Sequence, residues 1–222
     1  MVTAVVLAAG KASRMHRLKQ LLPWGDKTIL ETVICRLQSS SLSGEIRVVL
    51  GAEIDRIKEV LISSPHIDNE SGELIIKKNP EFERGMFSSV MAGIEGLKPG
   101  DSSLEGIMFM LGDMPLIKTS LYDSLLAEFR AENPSILAPR CCGRRGHPVL
   151  ISTSLLPDLY KMAEGAGRPE GGLRELLDER RDEIDYFETE DCSVLKDLDY
   201  REEYLRLRPG DSDRGDGCGF RY

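Results

Sequence analysis

Apolar, β-branched runs recur along the chain at Thr3–Leu7, Ile46–Leu50, Leu74–Ile76, Ile107–Leu111, Ile136–Ala138 and Val149–Ile151. Between most of them apolar residues fall at helical spacing, as in Ile29, Val33, Ile34 and Leu37, or Ile54, Ile57 and Leu61. Strand and helix therefore alternate. This alternation predicts an α/β fold of three layers, a mostly parallel sheet with helices on both faces, because near-continuous apolar strands are those buried on both sides. Ligands in such sheets bind beyond the carboxyl ends of the strands, so the loops after Leu7 and Leu111 are expected to face one crevice. No repeat of fixed period is visible, and Ser63–Gly72 reads as a surface loop.

At 222 residues the chain suits one sizeable core. The expected organisation is one domain over residues 1–207 and a tail over 208–222, where "RPGDSDRGDGCGFRY" offers little to bury. Lys plus Arg total 29 against 37 Asp plus Glu, a formal charge of −8, which argues against a general nucleic-acid surface and suits a soluble enzyme. No stretch approaches the roughly 18 continuous apolar residues of a membrane span, and the N-terminus lacks a signal-peptide layout, so a cytoplasmic protein is expected. Five cysteines, Cys35, Cys141, Cys142, Cys192 and Cys218, form an odd set without a C-x-x-C pair. That pattern points to reduced thiols rather than a disulfide framework. None of the three histidines stands at ligand spacing from another or from a cysteine, so no zinc site is expected.

Charge is distributed unevenly at one place. "VVLAAGKASRMHRLKQLLPWG" leaves a strand through Ala8, Ala9 and Gly10 and then sets Lys11, Arg14, Arg17 and Lys19 within nine residues. The G-x-G-x-x-G dinucleotide fingerprint and the Gly-Lys-Ser/Thr of a P-loop are both missing. The physics of anion binding survives without them, since small residues allow close backbone approach and Arg14 and Lys19 bring cations to the same edge. The alternative is a tight turn carrying solvated basic groups.

Farther along, "IMFMLGDMPLI" ends a buried strand in Gly112-Asp113. An aspartate at that mouth, beside a phosphate loop, is placed to hold Mg²⁺, making Asp113 the first candidate metal ligand, with an N-cap for the helix that follows as the alternative. A second carboxylate is expected near the C-terminus, where Asp197 and Asp199 stand at i and i+2 and point the same way in an extended segment. Asp199 is the favoured second ligand, Asp197 the alternate, and helix N-capping the competing role. Gly85, Ser88 and Ser89 open a helix whose N–H groups could meet a nucleotide, or serve as an ordinary cap. Arg140, Arg144 and Arg145, before Gly146-His147-Pro148, suit a second phosphate or a solvated hairpin turn.

"LAAGKASRMHRLKQLLPWGDKTILETVI" resembles the signature L-A-A-G-x-S-x-R-M-G-x-x-K-x-L-L-P of the MobA-like nucleotidyltransferases, with His16 where the signature has glycine. The resemblance runs over about residues 3–205 and includes an intact G-D-x-P at Gly112–Pro115. A D-I-D-T-P-E-D-like segment at Asp197–Glu203 has lost its Thr-Pro. It implies a Rossmann-like sheet of the nucleotide-diphospho-sugar transferase type. It also implies that Lys19, Arg14 and Asp113 are catalytic, and that Leu7, Ala8, Ala9, Gly10, Lys19, Gly85, Ser88, Ser89 and Gly112 hold the nucleotide. Arg145, Gly146, His147, Pro148, Gly171 and Gly172 would lie on the acceptor side, with Mg²⁺ on Asp113 and Asp199. Leu-Ala-Ala-Gly in place of Leu-Ala-Gly-Gly resembles the branch that moves CMP from CTP onto molybdopterin or molybdenum cofactor, with a molybdoenzyme or its chaperone as a further partner. The competing readings are a guanylyl or sugar-phosphate transferase, a nicotinamide oxidoreductase disfavoured by the missing fingerprint, and a binding module without turnover.

Overall fold

In the computed structural model, described over residues 1–10, 18–164 and 172–210, the chain forms an eight-stranded sheet between helices. In order, the elements are β1 (Val2–Leu7), a small hairpin of β2 (Pro23–Trp24) and β3 (Lys27–Thr28), α1 (Ile29–Gln38), β4 (Ile46–Leu50), α2 (Ile54–Ser63) and β5 (Leu74–Lys78). There follow α3 (Met86–Ile94), β6 (Gly106–Leu111), α4 (Thr119–Glu132), β7 (Ile136–Cys141), β8 (Arg144–Arg145) and β9 (Val149–Ser152). The chain continues through α5 (Leu156–Glu164), α6 (Arg174–Glu179), β10 (Ile184–Glu188) and α7 (Arg201–Leu207). The sheet order is β10-β7-β9-β6-β1-β4-β5, with β8 added to β7 as a hairpin.

The apolar runs all become strands, and the sheet is mostly parallel as expected. The exceptions are β9, antiparallel to both β6 and β7, and the short β8, antiparallel to β7. Alternation along β1 splits the core in two. Val2, Ala4 and Val6 join Leu30, Val33, Ile57, Leu61 and Leu125 from α1, α2 and α4. Val5 faces the other way, with Phe87 and Val90 of α3 and Leu156 and Leu159 of α5. The strand at Ile184–Glu188 is not anticipated from periodicity. It is an edge strand with one buried residue, Ile184, so its pattern gives no continuous apolar run.

Register makes the site possible. Leu7 pairs with both Val49 and Leu111, so β1, β4 and β6 end level and their following loops rise from one edge. The β1 and β6 exits approach so closely that a Cβ on Gly112 would lie 2.8 Å from Ala8 Cβ and 3.2 Å from Leu30 Cδ1. Glycine is therefore needed here for space. α1 starts sharply after the small hairpin through a reciprocal cap: Thr28 Oγ1 accepts from the Glu31 amide and Glu31 Oε2 accepts from the Thr28 amide.

One expectation is corrected. Cys141 and Cys192 form a disulfide, whereas reduced thiols were expected. The two lie 51 residues apart, and only the docking of the segment after β10 against the end of β7 brings their Cα atoms to 5.4 Å. Linear spacing carries no trace of that contact. Cys35 and Cys142 are free thiols. Among the described residues no helix is long and apolar enough to cross a membrane.

Candidate active site

Three segments distant in sequence meet beyond the level ends of β1 and β6. Lys19 opens a single 3₁₀ turn, Lys19–Leu21, after the opening loop. Its Nζ donates to Asp113 Oδ2 and, at 2.9 Å, to Asp199 Oδ1. Asp113 directly follows the β6 exit and is 8% exposed. Asp199 arrives on an extended segment pinned by a bond from the Leu198 amide to the Asp113 carbonyl at 3.1 Å. Leu198 itself is fully buried against Trp24, Ile29 and Tyr204. With Leu198 turned inward, its neighbours Asp197 and Asp199 turn toward Asp113, as alternation in an extended chain requires.

The electrostatics follow from this crowding. Burial pulls the Lys19 ammonium down, but Asp113 and Asp199 outweigh it and leave its pKa above the ordinary 10.5. Asp197 moves the other way for a carboxyl: burial, then the Asp113 and Asp199 charges, raise it above 3.8. Asp113 Oδ1 is buried and has no hydrogen-bond partner among the described residues. One oxygen from each of Asp113, Asp197 and Asp199 lies within 4.8 Å of the others. Such an oxygen set, including one unpaired buried lone pair, fits a hard divalent cation such as Mg²⁺.

The capping alternatives are settled by the helix starts. The N-cap of α4 is Lys118 and that of α7 is Tyr200, so neither Asp113 nor Asp199 is spent as a cap.

Around the cluster the expected nucleotide residues occupy different roles. The Ala8 amide bonds the Val49 carbonyl at 3.0 Å and so belongs to the sheet, while Ala8 and Ala9 are buried. Gly10 is exposed, and among the described residues nothing would lie within 4 Å of a Cβ placed there. Gly85, at φ +97°, is the N-cap of α3. Asn79 Nδ2 donates to Ser88 Oγ at 2.8 Å and Ser89 Oγ at 3.0 Å, and Ser88 Oγ donates to the Gly85 carbonyl. These hydroxyls bind α3 to the end of β5. Arg14 and Gly171, and all but the first three residues of the expected tail, lie outside the described residues.

A pocket of about 260 Å³ opens beside the cluster, with Leu7, Phe109 and Val149 on the sheet, Met86 from the start of α3, and Leu173 and Leu177 opposite. Arg145 and Arg174, Gly146 and His147 complete it. Leu7 thus faces the His147 side. Burial pushes the His147 imidazole below 6.5 despite the opposing Asp113 charge, so the ring is neutral at neutral pH, and its Nδ1 is buried without a partner among the described residues. Gly146 is forced by close approach, since a Cβ there would stand 2.4 Å from the Val194 carbonyl. Pro148 is buried beside it, and Gly172, at φ +69°, lies against Met86. Arg140 is used elsewhere, bonded to Glu188 at 2.6 Å and stacked 4.2 Å above the Tyr186 ring.

The family model of the MobA-like NTP transferase domain matches residues 4–184. The chain belongs to that family. Among characterised relatives, the molybdenum cofactor cytidylyltransferase of Escherichia coli K12 is 28% identical over 155 residues, covering 70% of this chain and 72% of the relative. The crystal structure of Rv0371c from Mycobacterium tuberculosis superposes with a TM-score of 0.73 at 24% identity, covering 93% of this chain and 96% of that one. CMP:2-keto-3-deoxy-manno-octonic acid synthetase, solved with CTP, reaches 0.69 at 14% identity over 93% and 96% of the two chains. The MobA-like domain is thus a nucleotidyltransferase domain, and the fold is of the nucleotide-diphospho-sugar transferase type expected from the opening signature.

Within this MobA-like site two residues escape sequence reading. Gln20 is buried, and its Nε2 donates to the Ala8 carbonyl at 3.0 Å and the Gly10 carbonyl at 3.3 Å, holding the β1 exit to the turn that carries Lys19. A lone amide inside the apolar run "LKQLLPW" was its signal. Asn79 left no signal, because its partners become visible only when β5 and α3 are side by side.

Proposed function

We propose that this protein transfers CMP from CTP onto the phosphate of molybdopterin or molybdenum cofactor and releases pyrophosphate, with Mg²⁺ held by Asp113 and Asp199 and Asp197 beside them. The observation that carries the reading is the meeting of Lys19 with three aspartates beyond the β1 and β6 ends, within a MobA-like domain. The acceptor and the cytidine are supported by the E. coli relative and by the Leu7-Ala8-Ala9-Gly10 run.

A phosphomonoester oxygen is ionised near neutral pH, so its attack on the α-phosphorus needs alignment and charge neutralisation more than a strong base. The new P–O bond forms as the bond between the α-phosphorus and its bridging oxygen breaks, and that electron pair leaves with pyrophosphate. Lys19 stays an ammonium throughout this chemistry and stabilises negative charge gathering at the α-phosphate. When bound, Mg²⁺ supplies further neutralisation on phosphate oxygens. Arg145 offers a guanidinium fork to the acceptor phosphate, and the apolar pocket walls receive its ring system.

Pyrophosphate release, followed with Mg²⁺, molybdopterin and each nucleoside triphosphate in turn, tests this. Release is expected with CTP. GTP as the better donor would move the protein to the guanylyl reading, release only with a sugar phosphate in place of molybdopterin would change the acceptor, and no release with any nucleotide would leave a binding module.

A further inference from the structure

Away from the carboxylate cluster, three sulfurs gather at one point. Cys141 ends β7, Cys142 begins the two-residue turn into β8, and Cys192 opens a 3₁₀ turn over Cys192–Leu195. Cys142 has φ +51° and Gly143 φ +72°. A hairpin turn with two left-handed residues favours Asn, Asp or Gly at its first position, so a cysteine there is a conformational cost that packing does not explain, because the side chain is exposed. Cys142 Sγ lies 3.8 Å from Cys141 Sγ and 3.9 Å from Cys192 Sγ. Thiolates bound to one zinc at about 2.3 Å in tetrahedral directions stand about 3.8 Å apart. Two of the three separations already have that value, and the third pair is joined as the disulfide.

We propose that Cys141, Cys142 and Cys192, once the Cys141–Cys192 bond is reduced, form a three-thiolate site for a thiophilic d¹⁰ metal ion, Zn²⁺ or Cu⁺. A dithiol reductant supplies the two electrons and two protons that break the bond and leave two thiols, itself becoming a disulfide. Binding then displaces one proton from each of the three thiols, leaving thiolate ligands on the ion. Cys141 is buried and Cys142 exposed, so the ion would enter from the turn side. Histidine and cysteine spacing gave no expectation of zinc, because these ligands come from a hairpin and a turn that only the fold brings together.

The place gives the site a connection to the chemistry. From Cys192 the chain runs through Val194, whose carbonyl accepts from the His147 amide at 2.9 Å, and on to Asp197 and Asp199. An ion bound to the three sulfurs would clamp the His147 loop to the aspartate segment from behind.

Full-length protein treated with a phosphine reductant, freed of it under argon and titrated with Co²⁺, tests the proposal. Expected is a sulfur-to-cobalt charge-transfer band saturating at one equivalent, displaced by Zn²⁺, lost in Cys142→Ala and kept in Cys35→Ala. The aspartate cluster cannot produce that band. Iodoacetamide labelling read by mass spectrometry provides a second measurement, with Zn²⁺ expected to protect Cys142 in the reduced protein. Absence of the band in reduced wild type, its persistence in Cys142→Ala, or labelling of Cys142 that Zn²⁺ does not slow would overturn the site and leave a disulfide with a neighbouring thiol.

Discussion

The Lys19 cluster and the His147 pocket are neighbours at the same sheet edge, yet they are built in opposite ways. In the first, an ammonium is matched to Asp113 and Asp199, drawn from three parts of the chain. In the second, apolar walls from Leu7, Phe109 and Leu173 stand with the neutral His147 imidazole and the guanidinium groups of Arg145 and Arg174. On the proposed function, charge handling falls to the first region and shape selection to the second. That division suits the proposed transfer, which needs strong, general neutralisation at a triphosphate and discrimination at the acceptor.

The sharpest way to break this division is at Asp113. Asp113→Asn should lower turnover by about 10²–10³-fold, the scale of losing one preorganised electrostatic contact, while the circular dichroism spectrum stays unchanged. An unaltered rate would remove the cluster from the chemistry altogether.

Lys19→Met should cost about a hundredfold in turnover and also destabilise the fold, because it leaves partly buried carboxylates uncompensated. The sign of the pH dependence follows from its raised pKa. The stabilisation is fully present below the unfolded value of 10.5 and is lost as pH rises through the higher folded value. Chemical denaturation of the two proteins should therefore show a gap at neutral pH that narrows in alkali as Lys19 loses its proton. A gap already closed at neutral pH would mean the ammonium is not held by the aspartates.

On the pocket side the expected effect is smaller and different in kind. Arg145→Ala should raise KM for the phosphate acceptor about tenfold or more, as for loss of a charged hydrogen bond, and leave KM for CTP nearly unchanged. Equal changes in both would erase the proposed separation.

The two regions were unequally legible in the sequence. The strand exits at Leu7 and Leu111 could be read because strands buried on both faces write continuous apolar runs, and Asp113 stands at the end of one. Asp199 was reachable through its i, i+2 relation with Asp197, although only the burial of Leu198 between them shows why both face the site. The pocket was less readable. Its apolar residues serve equally as core, its antiparallel β9 reverses direction without any periodic signature, and the Cys141–Cys192 bond depends on a contact between segments 51 residues apart. Gln20 shows the same limit, because its value lies in two carbonyls that it reaches across a turn.

The finest test lies at Asp197, where the cluster's charge balance is least satisfied. Burial and the neighbouring Asp113 and Asp199 charges raise its carboxyl above 3.8, so the native state favours its protonated form. Stability from this group is present below the unfolded pKa and is lost as pH rises through the folded one; at neutral pH its ionised carboxylate therefore weakens the apoprotein. Asp197→Asn should raise Tm in the presence of a chelator at neutral pH by a small amount, on the order of 2 °C given partial solvent screening, and by nothing near pH 3. Adding Mg²⁺ should reverse the order, because an ion that binds the native cluster stabilises wild type more than a variant missing one carboxylate. A variant that is less stable than wild type under both conditions would show that Asp197 is held by a partner rather than crowded by like charges, and would leave Asp113 and Asp199 as the whole of the acidic site.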